Sequence, residues 1–305
     1  TLIPGTAVNL SANLDAGTGT INATGGTGVV NFTGDSTVNG ASFSAGTLNI
    51  SSGVVTLNTP SSIDTLNLSG GTFNSAGDMA INNVLDWTGG DIYITGDYYN
   101  EPGSVFNAKA AGSLNVGTFY NNGIFTIGSS PGALTINGNY VQGSEGSLDI
   151  ELGGLTQGMD YDWLNITGSA TLDGTLNVSL WDNFTGTSGD QFDIMTYTSV
   201  TLIDPLDPLS EKTDFATVNI PTGYCFLVGD QGTFYQLEVT SIPSDAVASL
   251  PYDPFSNILI MVEQTESSVS FGMEEAEGYV GESLVAEGYS EEEEEVKKKG
   301  RMICR

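Results

Sequence analysis

The sequence predicts an all-β chain wound as a parallel solenoid, and three observations carry that prediction. One apolar–polar–apolar triplet recurs as Leu48-Asn49-Ile50, Leu66-Asn67-Leu68, Leu114-Asn115-Val116, Leu134-Thr135-Ile136, Leu148-Asp149-Ile150, Leu164-Asn165-Ile166 and Leu176-Asn177-Val178. Turn residues, chiefly glycine, separate the copies. No stretch of residues 1–240 shows a capped helical period. In a strand, alternate side chains share a face, so each triplet sends two apolar groups inward and one polar group outward. Three residues cannot bury a face alone, whereas stacked copies can.

The elements follow in chain order. Short apolar-alternating runs begin at Val8-Asn9-Leu10 and Val30-Asn31-Phe32 and continue through Leu48, Leu57 and Leu66. These leucines are nine residues apart, so two steps make 18, the lower end of a β-helix rung of about 18–25 residues holding two or three strands. Turns are expected at Gly25-Gly26, Gly34-Asp35, Gly70-Gly71, Gly89-Gly90 and Asn122-Gly123. A β-sandwich also gives short strands between turns; the length of the array and the reuse of one triplet favour the solenoid. Aromatics accumulate further along (Trp87, Tyr98, Tyr99, Phe106, Phe119, Tyr120, Tyr140, Trp163, Trp181) and are expected to widen or close the core.

From residue 190 the pattern changes. Strand candidates Gln191–Tyr197, Ala216–Pro221, Phe226–Val228 and Phe234–Val239 surround the loop Asp204–Pro208. They read as a cap, because an open solenoid end exposes strand edges and apolar core. Pro243, Pro251 and Pro254 mark a linker, after which Ile258–Val262 could add one strand. An acidic stretch follows, with an imperfect echo (Ala276-Glu277-Gly278-Tyr279 and Ala286-Glu287-Gly288-Tyr289), then a Glu run and a Lys run. The expected organisation is rungs over 1–189, a C-terminal β cap over 190–243, and a linker with an acidic, partly disordered tail over 244–305.

Charge limits function. The 305 residues carry 37 acidic and 7 basic side chains and no histidine, a net of −30. Glu291–Glu295 are matched by Lys297, Lys298, Lys299, Arg301 and Arg305, so the body holds the whole excess, with Lys109 and Lys212 as its bases. Such a body repels phosphate backbones and anionic headgroups, so nucleic acid is not an expected partner. Apolar content of 39% is enough for a core, and no run of about 18 apolar residues offers a membrane span. Two cysteines form no disulfide framework. Basic neighbours favour a Cys304 thiolate, Cys225 sits in a strand-like apolar run, and a bridge between them stays open.

From Ser130 onward the phrases SPGALTINGNYVQGSEGSLDIELGG, DYDWLNITGSATLDGTLNVSL and GDQFDIMTY resemble the ends of β-helical passengers in type V-secreted bacterial surface proteins. These are autotransporter passengers and the filamentous-haemagglutinin-like exoproteins of two-partner secretion. The likeness covers about residues 1–243 and is closest after 130. It implies export through an outer-membrane secretion partner to the surface of a Gram-negative-type bacterium. No β-barrel sequence follows 243 and no N-terminal secretion domain is evident, so the C-terminal part of a longer exoprotein is expected. The tail is similar to exoprotein ends that stay with the cell, which would make Cys304 with Lys297, Lys298, Lys299 and Arg301 a tether.

Enzymatic chemistry finds few residues. Lyase action on uronic acids needs a cationic partner and a base, and a Ser-His-Asp centre needs histidine. A glycoside hydrolase needs only two carboxylates; Asp160 with Asp162, and Asp149 with Glu151, are the i, i+2 pairs expected to share a strand face. No His or paired-Cys set suits zinc. Calcium takes oxygen ligands, and the turn residues Asp35, Asp91, Asp97 and Asp190 are its weak candidates, beside their simpler role in turns. Sequons occur at Asn9, Asn22, Asn31, Asn49, Asn67, Asn165, Asn177 and Asn183.

The expectation is therefore a right-handed parallel β-helix acting as an extracellular structural or adhesive protein without a catalytic centre. Its partners would be glycans or proteins of a host, neighbouring cell or matrix, or further copies of itself in a fibre, joined through the Ile258–Val262 strand. A carbohydrate hydrolase with paired carboxylates in an aromatic-lined groove is the alternative.

Overall fold

Hydrogen-bond pairing arranges the triplets into three parallel walls. The computed structural model describes residues 29–39, 43–110, 112–200 and 214–240. It also gives the strands Ala7–Leu10, Asn22–Ala23, Leu259–Thr265, Ser268–Met273 and Lys298–Cys304. The first wall stacks 29–32, 47–50, 65–68, 84–87, 105–108, 124–127, 147–152, 175–180 and 217–219, in register and parallel. The second stacks 36–38, 54–57, 72–75, 91–94, 112–115, 133–137, 163–166 and 191–196. The third stacks 43–45, 61–63, 79–81, 98–100, 118–121, 139–142, 169–171 and 199–200. Ala7–Leu10 lies against Val29–Phe32, and Asn22–Ala23 against Ser44–Ala45, so the first and third walls extend toward the N-terminus.

The chain is thus an all-β parallel solenoid with three strands per turn. Leu48 and Leu66 occupy one wall and Leu57 the next, and Asn49 and Asn67 bond across 18 residues. Between Leu57 and Leu66 the sequence Ser61-Ser62-Ile63 supplies the third strand, with Ser61 and Ile63 inward. A serine at an inward position carries no hydrophobic signal, which is why the nine-residue spacing revealed only two walls.

Stacking at about 4.8 Å per strand forces each inward side chain to pack on its counterpart one turn away. Along the first wall Val30, Leu48, Leu66, Leu85, Phe106, Phe125, Leu148 and Leu176 are all at most 1% exposed. Each such side chain contributes roughly 1.5–3 kcal/mol by burial. Tyr98 stacks on Phe119 at 4.8 Å and Phe106 on Phe125 at 5.1 Å, while Phe106 meets Phe119 edge-on. The aromatics do enter the core there, but Tyr99 and Tyr120 point outward and Trp181 is exposed.

The corner between the first two walls depends on glycine. Gly53, Gly71 and Gly90 stack with φ of 78°, 80° and 81°. A Cβ on Gly71 would lie 2.4 Å from the Gly53 carbonyl oxygen, so both the positive φ and the close approach require glycine. At the corner between the third and first walls, an amide ladder is buried. Asn100 Nδ2 donates to Asn121 Oδ1 at 2.8 Å and to the Ile124 carbonyl at 3.2 Å. Asn121 Nδ2 donates to the Ser147 carbonyl at 3.0 Å, and Gln142 Nε2 to the Thr175 carbonyl at 2.9 Å. These side chains place their own buried amides on one another and on strand carbonyls, so the corner hides no unpaired amide N–H.

The parallel stack runs past residue 189, through Gln191–Thr196 to Thr217–Asn219. Gln191–Thr196 changes the pairing: one edge is parallel to 164–165 and the other antiparallel to Phe234–Thr240. Cys225–Asp230 adds next, then Lys298–Cys304, Leu259–Thr265 and Ser268–Met273, all antiparallel. Phe192, Phe226, Val228, Tyr235 and Leu237 fill this cap. Two of its tyrosine hydroxyls are held by carboxylates, Tyr197 by Asp230 and Tyr235 by Asp214. The expected strand Ile258–Val262 is Leu259–Thr265, paired with Lys298–Cys304 on one edge and Ser268–Met273 on the other. The acidic stretch expected to be disordered falls largely at 274–297, outside the described residues.

Tyr98 offers a contrast with the amide ladder, because its buried hydroxyl has no hydrogen-bond partner. Tyr98→Phe is expected to leave stability unchanged or raise it by about 1 kcal/mol, whereas Asn121→Ala should cost about 1–3 kcal/mol by removing its bond to the Ser147 carbonyl and the buried acceptor of Asn100 Nδ2. Denaturant unfolding of the variants checks both; equal losses would show that the ladder is not what secures this corner.

Candidate functional site

The central residue of each first-wall strand faces outward, and the register aligns these residues along the rod. The row runs Asn31, Asn49, Asn67, Asp86, Asn107, Thr126, Asp149, Asn177 and Asn219. Asn49 Nδ2 donates to Asn31 Oδ1 at 2.6 Å and Asn67 Nδ2 to Asn49 Oδ1 at 2.8 Å. Thr126 donates to Asn107, Asn177 to Asp149, and Asn219 to Asn177. Lys109 Nζ bonds Asp86 Oδ1 at 2.7 Å. Four of the eight sequon asparagines therefore have a committed Nδ2: Asn49, Asn67 and Asn177 here, and Asn165, which donates to Thr135 on the second wall. Asn183 sits on an exposed turn with φ of 57°.

Where turns lengthen, loops rise beside this row and enclose a groove of about 700 Å³, within the range of ligand pockets. Lys109, Thr126, Ser130, Asp149, Glu151 and Asp162 are among its lining residues. Asp149 and Glu151 share the outward face, as their spacing predicts. Asp160 and Asp162 separate. Asp160 is partly exposed and accepts the Thr156 N–H at 3.1 Å. Asp162 is 1% exposed and accepts the Gly132 N–H at 2.7 Å on Oδ1 and the Glu151 N–H at 2.8 Å on Oδ2.

Burial pushes the Asp162 carboxyl up to about 7; the N–H groups of Glu151 and Gly132 oppose the rise, and the Glu151 charge adds to it. A raised carboxyl in a groove suits a general acid, but both oxygens of Asp162 already accept backbone N–H groups. It clamps the 128–132 and 151–162 segments to each other, and the groove lining contains no aromatic ring.

The calcium candidates lie apart. Asp35 accepts the Val54 N–H, Asp97 the Thr118 N–H, and Asp190 the Thr187 N–H and hydroxyl. Asp91 is exposed at the start of a second-wall strand. Among the described residues no three acidic, histidine or cysteine side chains come together as a cation site. Asp78, not singled out from sequence, accepts the Asp97 N–H, so Asp78 and Asp97 continue one corner across turns. Of the tether candidates, Cys304 is bonded through sulfur to Cys225, directly opposite it in the cap. The thiolate expected at Cys304 is therefore absent, and the bridge left open in the sequence is formed. Lys298, Lys299 and Arg301 lie on the same cap strand, and Lys297 is outside the described residues.

A surface feature that sequence reasoning missed is on the third wall, where Tyr99 and Tyr120 stack outward at 4.9 Å. The doublets Tyr98-Tyr99 and Phe119-Tyr120 were the available signal, since a strand must send one ring of each doublet out.

Because the folded Asp162 carboxyl binds its proton up to about pH 7 and an unfolded one only to about 4, the folded state holds more protons between these values. Stability contributed at this site is therefore expected to fall as pH rises from about 4 to about 7. Asp162→Asn should flatten that part of the wild-type stability–pH profile, a difference of a few kcal/mol at most; parallel profiles would refute it. No protein-family model and no curated protein matches the chain, so its functional reading rests on its fold and surfaces.

Proposed function

We propose that the chain is an exported rod that works at a cell surface by repeated contact rather than by turnover. The observation that carries this reading is the first-wall row from Asn31 to Asn219, which offers amide, hydroxyl and carboxylate groups turn after turn. Contacts that are individually weak gain strength when several are made along a rigid support. The body's acidity supports solubility for an extended β surface and disfavours anionic partners. The likeness of 130–197 to type V-secreted passengers supports export from a Gram-negative-type bacterium, with a glycan or protein of a host, neighbouring cell or matrix as the partner.

The cap bears on assembly. It pairs antiparallel with the last strand of the second wall, so that wall offers no open parallel edge for end-to-end growth.

Immunogold labelling of intact producing cells, with electron microscopy of the purified chain, tests the reading. Label on the outer surface and short separate rods are expected. Label confined to the cell interior would overturn the location, and long axial fibres would overturn the assignment of the cap.

A further inference from the structure

On the third wall, the outward position of successive turns runs Ser44, Ser62, Ala80, Tyr99, Tyr120. The planes of Tyr99 and Tyr120 are 4° from parallel and their centroids 4.9 Å apart, close to the strand spacing itself. Rings stacked this way lie across the rod axis, so the second face of Tyr99 looks along the axis over Ala80. There the row drops from rings to small side chains, and a depression of about 410 Å³ opens, lined by Ser44, Pro60, Ser62, Asp78, Ala80 and Tyr99 among others.

We propose that this depression is a saccharide-binding subsite, in which an uncharged pyranose ring continues the tyrosine stack. The aromatic face of Tyr99 suits the C–H face of a sugar, as aromatic faces suit flat ligands generally. The Ser44 and Ser62 hydroxyls and the Asp78 carboxylate line the same space and match a sugar's hydroxyls. Asp78 already uses Oδ1 for the Asp97 N–H, and Ser62 accepts from Asn82 at 3.1 Å, so both are held in place before a ligand arrives.

Charge narrows the ligand. Burial first, then the charges of Asp97 and Asp78, the neighbouring Tyr120 and Glu101, raise the Tyr99 phenol above its ordinary value. These carboxylates therefore bear directly on the site and repel uronic acids and nucleotide phosphates. A partner's aromatic side chain would also stack on Tyr99, but a sugar presents hydroxyls around its whole ring edge to Ser44, Ser62 and Asp78 while its flat face meets the tyrosine.

This subsite gives the surface-contact reading a ligand class and rests on it only for its purpose. Sugar binding by the purified chain is measured without reference to location, and cell labelling without reference to ligand, so the two fail separately. The test titrates the full chain with cellohexaose, chitohexaose and mannohexaose, and with polygalacturonate as the anionic control, by calorimetry and saturation-transfer NMR. At least one neutral probe is expected to bind saturably, and polygalacturonate not to bind. Tyr99→Ala should weaken that binding at least tenfold. Ala80→Tyr, which fills the depression from within, should weaken it similarly, and Tyr93→Ala on the second wall should not change it. Circular dichroism confirms that the variants keep their sheet. Absence of binding by every neutral probe, or equal binding by wild type and Tyr99→Ala, overturns the proposal. So does saturable binding of a tryptophan-containing peptide at Tyr99 with no saccharide binding.

Discussion

In-register parallel stacking is the constraint on which the other features depend, because it places each residue about 4.8 Å from its counterpart one turn away. Inside, that spacing demands side chains that pack on their own kind: leucine on leucine through Leu48 and Leu66, ring on ring through Phe106 and Phe125. Outside, it turns isolated asparagines into a bonded row. At the corners it brings backbones so close that Gly53, Gly71 and Gly90 have no room for a side chain. Core, surface row and turn chemistry are three consequences of one repeat distance.

The same constraint explains why the molecule needs its cap. A parallel stack ends on a strand with unpaired donors and acceptors and on a layer of apolar side chains. Here Gln191–Thr196 takes parallel pairing on one edge and antiparallel pairing on the other, which closes the end of the second wall. The Cys225–Cys304 bond ties the last described strand into the cap, 79 residues from its partner cysteine. A cross-link over so long a separation restricts the unfolded chain substantially, so the cysteines act on the cap and not as a free surface thiol.

Much of the fold was legible from residue types. The triplet told which residues face inward at Leu48-Asn49-Ile50 and Leu176-Asn177-Val178, and the leucine spacing gave the 18-residue turn. The third wall was not legible where its inward residues are small or polar, as at Ser61, nor was the buried amide ladder. Asn100 and Asn121 look like turn residues in a chain rich in them, and only the corner that brings their amides to each other and to the Ile124 and Ser147 carbonyls gives them a reason to be inside. The candidate site was less legible still. Asp160 and Asp162 have the spacing of a shared face, yet the loop between the first and second walls turns one outward and buries the other.

By itself the sequence determined the class of structure, since a long array that reuses one triplet between turn glycines favours a stacked β chain over a sandwich, and it determined the acidity of the body. The tertiary structure alone decided which outward residues become neighbours. Turns vary in length, so Tyr99 meets Tyr120 and Asp162 meets Gly132 through register, which is a property of the paired walls and of no local segment. Surface chemistry on a solenoid is written across turns, and only the stacking of turns brings it together.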